Sequence, residues 1–282
     1  MKIRNLLETA IKQLSLKKLP TPELDARILL QHVTNLSPEV IILYPDEEVS
    51  SEIIEKFQQL IQRRLNNEPV AKIIGKKSFW KSDFLVNNFV LDPRPDTEII
   101  IEAALTAFPD KDTPLEFLDL GTGSGCIILS LLQEFPNAIA VAIDISEDAL
   151  NIAKANAKSH LLENRVSFLK QNWADSLNKK FDLIVSNPPY IPSKDIENLS
   201  DDVKNYDPML ALDGGIDGLE PYHYLAKQLV NLLKKDSFAI LEFGQGQAPY
   251  IKYIFEQNGY KTHKILKDLN NIERAIIIKK RE

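Results

Sequence analysis

The sequence predicts a two-part protein, a small N-terminal helical bundle followed by an α/β domain on a mostly parallel, seven-stranded sheet. Three observations carry this. Apolar residues recur every three or four positions up to about residue 70, β-branched and aromatic residues then take a shorter period, and from Asp96 onward apolar runs alternate with helical patterns. Charge divides at the same place. Residues 1–95 hold 14 basic and 12 acidic side chains and residues 96–282 hold 20 and 28, giving +2 and −8 within a net charge of −6.

Taken in order, Ile3, Leu6, Leu7, Ala10, Ile11 and Leu14 form one helical stripe. Thr21 followed by Pro22 reads as an N-cap and first helical position, with Leu24, Ile28, Leu29 and Leu30 behind them. Ser50 or Ser51 caps a third helix whose stripe is Ile53, Ile54, Phe57, Leu60, Ile61 and Leu65, ended by Asn66, Asn67 and Pro69. Residues 1–70 are therefore a helical domain. Residues 71–95 read as a β-hairpin linker, with short strands between Lys72 and Leu91 and turns at Gly75 and Asn87-Asn88. Residues 96–282 form the α/β domain, with strands at 115–120, 138–144, 166–170, 181–187, 237–243, 260–266 and 273–279. Helices fit at 127–135, 147–158 and 222–233, and ligands belong beyond the carboxyl ends of the strands.

Composition removes several classes. With 44% hydrophobic and 26% charged residues in 282, the chain can bury a core. No window approaches the ~20 apolar residues of a membrane span, and the opening MKIRNLLETAIKQL reads as an amphipathic helix rather than a signal peptide, so a cytoplasmic protein without membrane contact is expected. Cys126 is the only cysteine and the four His show no ligand spacing, so neither a disulfide nor a metal site is expected. The acidic balance argues against stable nucleic-acid binding. A monomer is expected.

Chemistry first shows at LDLGTGSG, residues 118–125, where the first long strand meets a helix. Gly121, Gly123 and Gly125, with Thr122 and Ser124 between them, allow a tight turn and close ligand approach. A dinucleotide fingerprint would need glycine at 126, where Cys126 stands, which favours a ligand lacking pyrophosphate. Asp144 ends the second strand 19 residues after Gly125 and suits the two hydroxyls of a ribose, or else caps the next helix in competition with Ser146. A glycine loop with such an acid is the usual setting for S-adenosylmethionine in Rossmann-like methyltransferases. The most specific signal is Asn187-Pro188-Pro189-Tyr190 after the apolar run FDLIVS. Two prolines stiffen the chain so that the Asn187 side chain and the Pro188 carbonyl can accept the two N–H groups of a planar NH2, with Tyr190 against its flat face. The plainer alternative is a turn with a core tyrosine.

These motifs together resemble the protein-(glutamine-N5) methyltransferases that modify peptide chain release factors. The resemblance also covers Glu68-Pro69, Gly75, Phe79, Val90 to Glu98, Asn172-Trp173, Ala211 to Gly215, Asp217 to Leu219 and Glu242 to Gly246, hence nearly the whole chain. It implies a class I Rossmann-like fold with S-adenosyl-L-methionine as donor. It implies as substrate the glutamine of the Gly-Gly-Gln motif in class 1 release factors, recognised partly by the N-terminal domain. By the same resemblance, residues 121–125 hold the methionine part of the donor, Asp144 its ribose, Trp173 lies beside the adenine, and Asn187 touches both donor and substrate amide. Asn172 replaces the usual acid before the Trp, and the late loop carries Asp268, Asn271 and Arg274, with Asn271 where the family has glycine. NPPY alone is shared with enzymes that methylate adenine or guanine, which leaves nucleic-acid amino methylation as the alternative.

An amide nitrogen is a poor nucleophile because its lone pair is delocalised. No His or Lys adjoins residues 187–190, so orientation rather than a strong base is expected to drive transfer. Several residues keep two readings: Arg94 and Glu98 line an entrance or pair with each other, and Asp195, Glu197, Asp201, Asp202 and Asp207 form a solvated loop or a lid facing a basic partner. Cys126 and Trp80 read as packing residues. The charge of −8 implies salt-sensitive binding of the partner.

Overall fold

The computed structural model describes all residues except Ser176, Leu269 and Glu282. In chain order its helices and strands are α1 (Ile3–Leu16), α2 (Pro22–Thr34), α3 (Pro38–Leu43), α4 (Ser51–Leu65), α5 (Val70–Ile74), β1 (Lys76–Phe79), β2 (Ser82–Leu85), α6 (Ile99–Ala107), β3 (Glu116–Leu120), α7 (Cys126–Glu134), β4 (Ile139–Asp144), α8 (Glu147–Ser159), β5 (Val166–Lys170), β6 (Phe181–Ser186), α9 (Asp201–Tyr206), α10 (Glu220–Leu232), β7 (Leu233–Glu242), α11 (Ala248–Gln257), β8 (Tyr260–Lys267) and β9 (Glu273–Lys280). They form two compact units, Met1–Lys76 with Ser200–Tyr206, and the rest of the chain.

In the first unit, α1, α2 and α4 turn Ile3, Leu6, Leu14, Leu29, Leu30, Phe57 and Ile61 into one buried core. Each such side chain contributes roughly 1.5–3 kcal/mol on burial. Ser50 caps α4 by accepting from the Ile53 amide at 3.4 Å. Thr21 does not cap α2; its hydroxyl donates instead to Asp25 Oδ1 at 2.8 Å. The reason is a buried ion pair. Arg64 Nε donates to Asp25 Oδ2 at 2.7 Å with both side chains buried, and Arg64 Nη1 reaches the Glu68 carbonyl at 3.2 Å. Asp201 and Tyr206 of α9 join this unit, accepting from Asn67 Nδ2 at 3.0 Å and donating to the Asn66 carbonyl at 3.1 Å.

The second unit holds a seven-stranded sheet in the order β5-β4-β3-β6-β7-β9-β8, in which only β9 runs against the others. Its central strands β3 and β6 are apolar on both faces because both are covered, whereas the edge strands β5 and β8 carry polar, exposed residues. Phe117 packs with Ile100, Leu131 and Phe135 of α6, α7 and the chain after it, whereas the next residue, Leu118, packs with Leu225, Leu229 and Ile251 of α10 and α11. The order reverses between β3 and β6, and Leu120 pairs with Ser186 at their carboxyl ends. The two loops that leave these strands, 121–125 and 187–190, therefore start side by side at the switch point where open α/β sheets bind ligands.

The linker differs from expectation in two places. Residues 70–74 are a helix, ended by Gly75 at φ +73°, and the strands stop at Leu85. The hairpin turns at Trp80, φ +55°, and Asn87 makes a later turn by accepting from the Phe89 amide at 2.9 Å. The hairpin is pinned by polar contacts: Trp80 Nε1 donates to Glu134 Oε1 at 2.9 Å, the Trp80 amide to Glu98 Oε1 at 2.7 Å, and the Leu85 amide to Asn156 Oδ1 at 2.7 Å. Among the described residues, no helix is long and apolar enough to cross a membrane and no His, Cys, Asp or Glu group could hold a metal ion.

The buried pair gives a stability test. Asp25→Ala leaves the Arg64 guanidinium buried without its partner and should destabilise the helical unit by about 3–5 kcal/mol. Denaturant melts of the full chain that place the loss below about 1 kcal/mol would show the pair to be dispensable.

Candidate active site

A cavity of about 440 Å³ opens at the carboxyl ends of β3, β4 and β6, lined among others by Gly121, Thr122, Gly123, Ser124, Asp144, Trp173, Asn187 and Pro189. Of the residues singled out in sequence, Gly125, Pro188 and Tyr190 are not among its lining. Gly125 packs against the neighbouring helix, since a Cβ there would sit 3.3 Å from Ala153 Cβ and 3.2 Å from Leu129 Cδ1. Tyr190 is half-buried against the core that contains Leu118 and Phe243, and burial pushes its phenol up to about 12. Cys126 borders the cavity but is buried, its thiol pushed up to about 12 by that burial.

The glycine loop spends its amides on itself. The Gly121 and Thr122 amides donate to the Ile143 carbonyl at 2.9 Å, Gly125 to Thr122 at 2.8 Å, and Gly123 to Asp144 Oδ2 at 2.8 Å. Those four N–H groups are not available to a phosphate, so the geometry agrees with the absence of a full dinucleotide fingerprint. Asp144 is not the helix cap: Ser146 is, accepting from the Ala149 amide at 3.2 Å, while Asp144 Oδ1 accepts from the Ser146 amide at 2.9 Å. Asp144 thus accepts from the Gly123, Ser146 and Ile145 amides and lines the cavity with the acceptor capacity that remains. Burial raises its pKa, against the pull of the Ser146 and Gly123 amides.

Asp119 lies below the loop, fully buried. Its Oδ2 accepts from Thr122 Oγ1 at 2.7 Å and its Oδ1 has no hydrogen-bond partner. Burial pushes this carboxyl up to about 7, Thr122 opposes the rise and the charge of Asp144 adds to it. Two acids this close disfavour an anionic ligand and suit one carrying positive charge. A residue type hidden in the apolar run LDL gave the signal for Asp119, an acid where every neighbour is core.

The Asn187 to Tyr190 segment is gripped by backbone. A Cβ on Gly214 would fall 2.8 Å from the Pro189 carbonyl oxygen and 2.9 Å from Tyr190 Cα, and one on Gly218 would fall 2.3 Å from the Tyr190 carbonyl oxygen. Gln247 completes the grip by donating from Nε2 to the Tyr190 carbonyl at 2.9 Å while its Oε1 accepts from the Gly244 amide at 2.8 Å. Asn187 Nδ2 donates to Thr97 Oγ1 at 3.2 Å, which ties it to the run 92–98. Arg94 and Glu98 do not pair with each other. Arg94 Nη2 meets Asp207 Oδ2 at 2.7 Å, and Asp207 is buried rather than part of a solvated loop. In the late loop Asn271 takes φ +63°, the left-handed conformation that glycine usually supplies, and Arg274 Nε bridges Asp268 at 3.0 Å and Asp96 at 3.5 Å.

Comparison with known proteins fits this geometry. A family model described as the PrmC N-terminal domain matches residues 5–75, and one described as the methyltransferase small domain matches residues 100–203. The release factor glutamine methyltransferase of Rhodospirillum rubrum is 43% identical over 276 residues, covering 98% of this chain and 84% of that protein. The chain belongs to the release factor glutamine methyltransferase family. A longer relative, the bifunctional methyltransferase of Rickettsia typhi, is 41% identical over 98% of this chain, which spans 57% of it. Among solved structures, a methyltransferase from Pyrococcus furiosus superposes with a TM-score of 0.52 at 18% identity, covering 78% of this chain and 98% of that one, a likeness of fold. The fold is thus the Rossmann-like methyltransferase fold with a helical N-terminal domain.

Two outcomes test the family site as described. Gly214→Ala must push the 189–190 backbone and should cost about 1–3 kcal/mol, read from denaturant midpoints; a change below about 0.5 kcal/mol would mean the segment yields freely. Asp119 has a folded pKa raised above its unfolded value, so its stabilising contribution is complete below about pH 4 and is lost as pH rises through about 7. Relative to Asp119→Asn, the wild-type chain should therefore lose stability from pH 4 to pH 8. A constant difference across that range would contradict a raised carboxyl.

Proposed function

We propose that this chain transfers a methyl group from S-adenosyl-L-methionine to the side-chain amide nitrogen of the glutamine in the Gly-Gly-Gln motif of class 1 peptide chain release factors. It is an S-adenosylmethionine-dependent methyltransferase of the cytoplasm, with the release factor as its protein substrate. One observation carries the reading: Asn187 and the loop 121–124 with Asp144 line one cavity, so a methyl acceptor held by the first sits within reach of a nucleoside donor held by the second. In this assignment Gly121, Thr122, Gly123, Ser124 and Gly125 shape the seat of the methionine end, and the open acceptor sites of Asp144 take the ribose hydroxyls. Trp173, whose ring lies 4.0 Å from where a Gly121 Cβ would be, borders the adenine. Bound there, the donor supplies an electrophilic methyl carbon on a sulfonium.

The protein's own contribution is orientation. Asn187 Oδ1 and the Pro188 carbonyl accept the two N–H groups of the substrate amide and turn its nitrogen toward the methyl, while Pro189 and Tyr190 keep that segment from moving. Holding the reacting atoms in line can lower a barrier by roughly 7–11 kcal/mol, and hydrogen bonds directed for a tetrahedral nitrogen favour the transition state over the planar ground state. The nitrogen loses its proton after transfer, when its positive charge makes it strongly acidic, so no strong base is required at the site.

Mass spectrometry of release-factor peptides after incubation with the donor should show one added methyl on the glutamine. Methyl incorporated only into RNA or DNA would favour the nucleic-acid alternative instead. Asn187→Ala should slow transfer by roughly 30- to 1,000-fold, the equivalent of about 2–4 kcal/mol of lost transition-state stabilisation. Wild-type turnover in that variant would sink the assignment of Asn187.

A further inference from the structure

Beside Asn187 lies a carboxyl that the motifs alone did not single out as functional. In the β6–β7 ladder Ser186 pairs with Leu241, so the following residues, Asn187 and Glu242, are neighbours across the sheet. Glu242 is 2% exposed, and its Oε2 has no hydrogen-bond partner. Thr97 is equally buried and accepts from Asn187 Nδ2 at 3.2 Å. Thr97 and Asn187 are the hydrogen-bonding side chains that oppose the burial-driven rise of the Glu242 pKa. We propose that Glu242 is a positioning residue that fixes, with Thr97, which edge of the Asn187 carboxamide faces the substrate. This rests on the methyl-transfer reading given above.

The argument is one of donor and acceptor counts. An ionised carboxylate only accepts, so the single Thr97 hydroxyl proton is drawn to Glu242. Thr97 Oγ1 must then accept, and the group it accepts from on Asn187 is Nδ2–H. Because the amide is planar with one oxygen and one nitrogen, Oδ1 is left for the cavity, where it meets the N–H of the substrate amide. Without the carboxylate the Thr97 hydroxyl can turn and donate to Asn187 Oδ1. The carboxamide then presents Nδ2–H to a substrate N–H, donor against donor.

Charge supports the same picture. Burial pushes Glu242 up to about 7, opposed by Thr97 and by Arg274 of β9, reinforced by Asp96, and opposed again by Asn187. Tyr190, Tyr222 of α10 and Cys126 of α7 also sense its charge, and all three stay neutral near pH 7 because burial raises them. Glu242 is therefore the group in this cluster that changes charge around neutrality. When protonated it can itself donate to Thr97 and admit the reversed order. The rate should accordingly rise with pH.

The test uses the full chain, the methyl donor and a release factor, with kcat and both KM values measured from about pH 6 to pH 8.5. Glu242→Gln keeps the shape but can donate, and should lower kcat by about 10- to 100-fold while both KM values stay within about threefold. Its kcat should lack the rise through neutrality seen in the wild type. Thr97→Val should behave alike, and Thr97→Ser, which keeps the hydroxyl, should recover most of the rate. Wild-type kcat in Glu242→Gln, or Thr97→Ser as slow as Thr97→Val, overturns the proposal; the Thr97 pair decides if Glu242→Gln does not fold. A wild-type chain that methylates no release factor refutes the reaction assignment rather than this inference, which is then read by NMR without substrate. The Asn187 carboxamide protons, assigned by their loss in Asn187→Ala, should shift with pH through neutrality in the wild type, and their indifference to pH would overturn it.

Discussion

The site depends on one packing constraint, the approach of backbone to backbone around residues 189 and 190. Gly214 and Gly218 of one loop and Gly244 after β7 surround it, and at each a Cβ would lie 3.0 Å or less from the chain or ring of Pro189 or Tyr190. Backbone packed this closely has no rotamers to exchange, so it holds position better than side chains would. The two prolines remove further freedom from within the segment. A rigid Asn187 follows, and orientation is the form of catalysis that a rigid acceptor can supply. The glycine motifs far apart in sequence are thus requirements of one short segment.

A second consequence is electrostatic. The strands β3 and β7, on either side of β6, each bury an acid near the carboxyl end, Asp119 and Glu242, with one oxygen each lacking a hydrogen bond. Such atoms cost stability in any fold. They persist where a neighbouring group gains from them. Asp119 orders Thr122 in the glycine loop, and Glu242 faces Thr97 and Asn187. The two loops that meet in the cavity are each stiffened from below by a carboxyl.

Much of this was legible in sequence because it is local. The strands, the crossover helices, the glycine loop and NPPY are short patterns whose physics lies within a few residues. What sequence concealed was pairing across distance. Nothing in the spacing ties Arg94 to Asp207, Asn67 to Asp201 or Arg274 to Asp96, each separated by more than a hundred residues. Thr21 misled for the same reason, since a cap is a local rule and Arg64 with Asp25 is a distant competitor for the same side chain. Lys72 to Ile74 look strand-like because Ile73 and Ile74 are β-branched, yet Ile73 is buried in the helical core and Val70 and Ile74 pack against it, which decides the conformation. A better clue was present at Asp119 and Glu242, acids flanked by apolar residues near the end of a strand and buried there, although the same LEF pattern at Glu116 gives a partly exposed, paired acid.

The charge of −8 in the α/β region also changes meaning once the pairs are known. Glu134 accepts from Lys111 at 2.6 Å as well as from Lys81, Glu116 meets Lys179 at 2.6 Å and Lys234 at 3.0 Å, and Asp207 meets Arg94 at 2.7 Å. Asp119 and Glu242 are buried, and burial pushes both carboxyls up to about 7. The pairs with Lys111, Lys179 and Lys234 are already inside the formal sum, so it is Lys81 and Arg94 from outside this region and the raised carboxyls of Asp119 and Glu242 that make it less negative than −8. Three exposed residues that line the cavity are apolar or aromatic, Phe89, Leu210 and Tyr224, each more than half exposed, and the exposed polar Asn172 and Glu220 line it with them. Contact with the three apolar groups is short-range and acts only on a chain already at the cavity, whereas the charge of the region acts from further away and is screened by salt.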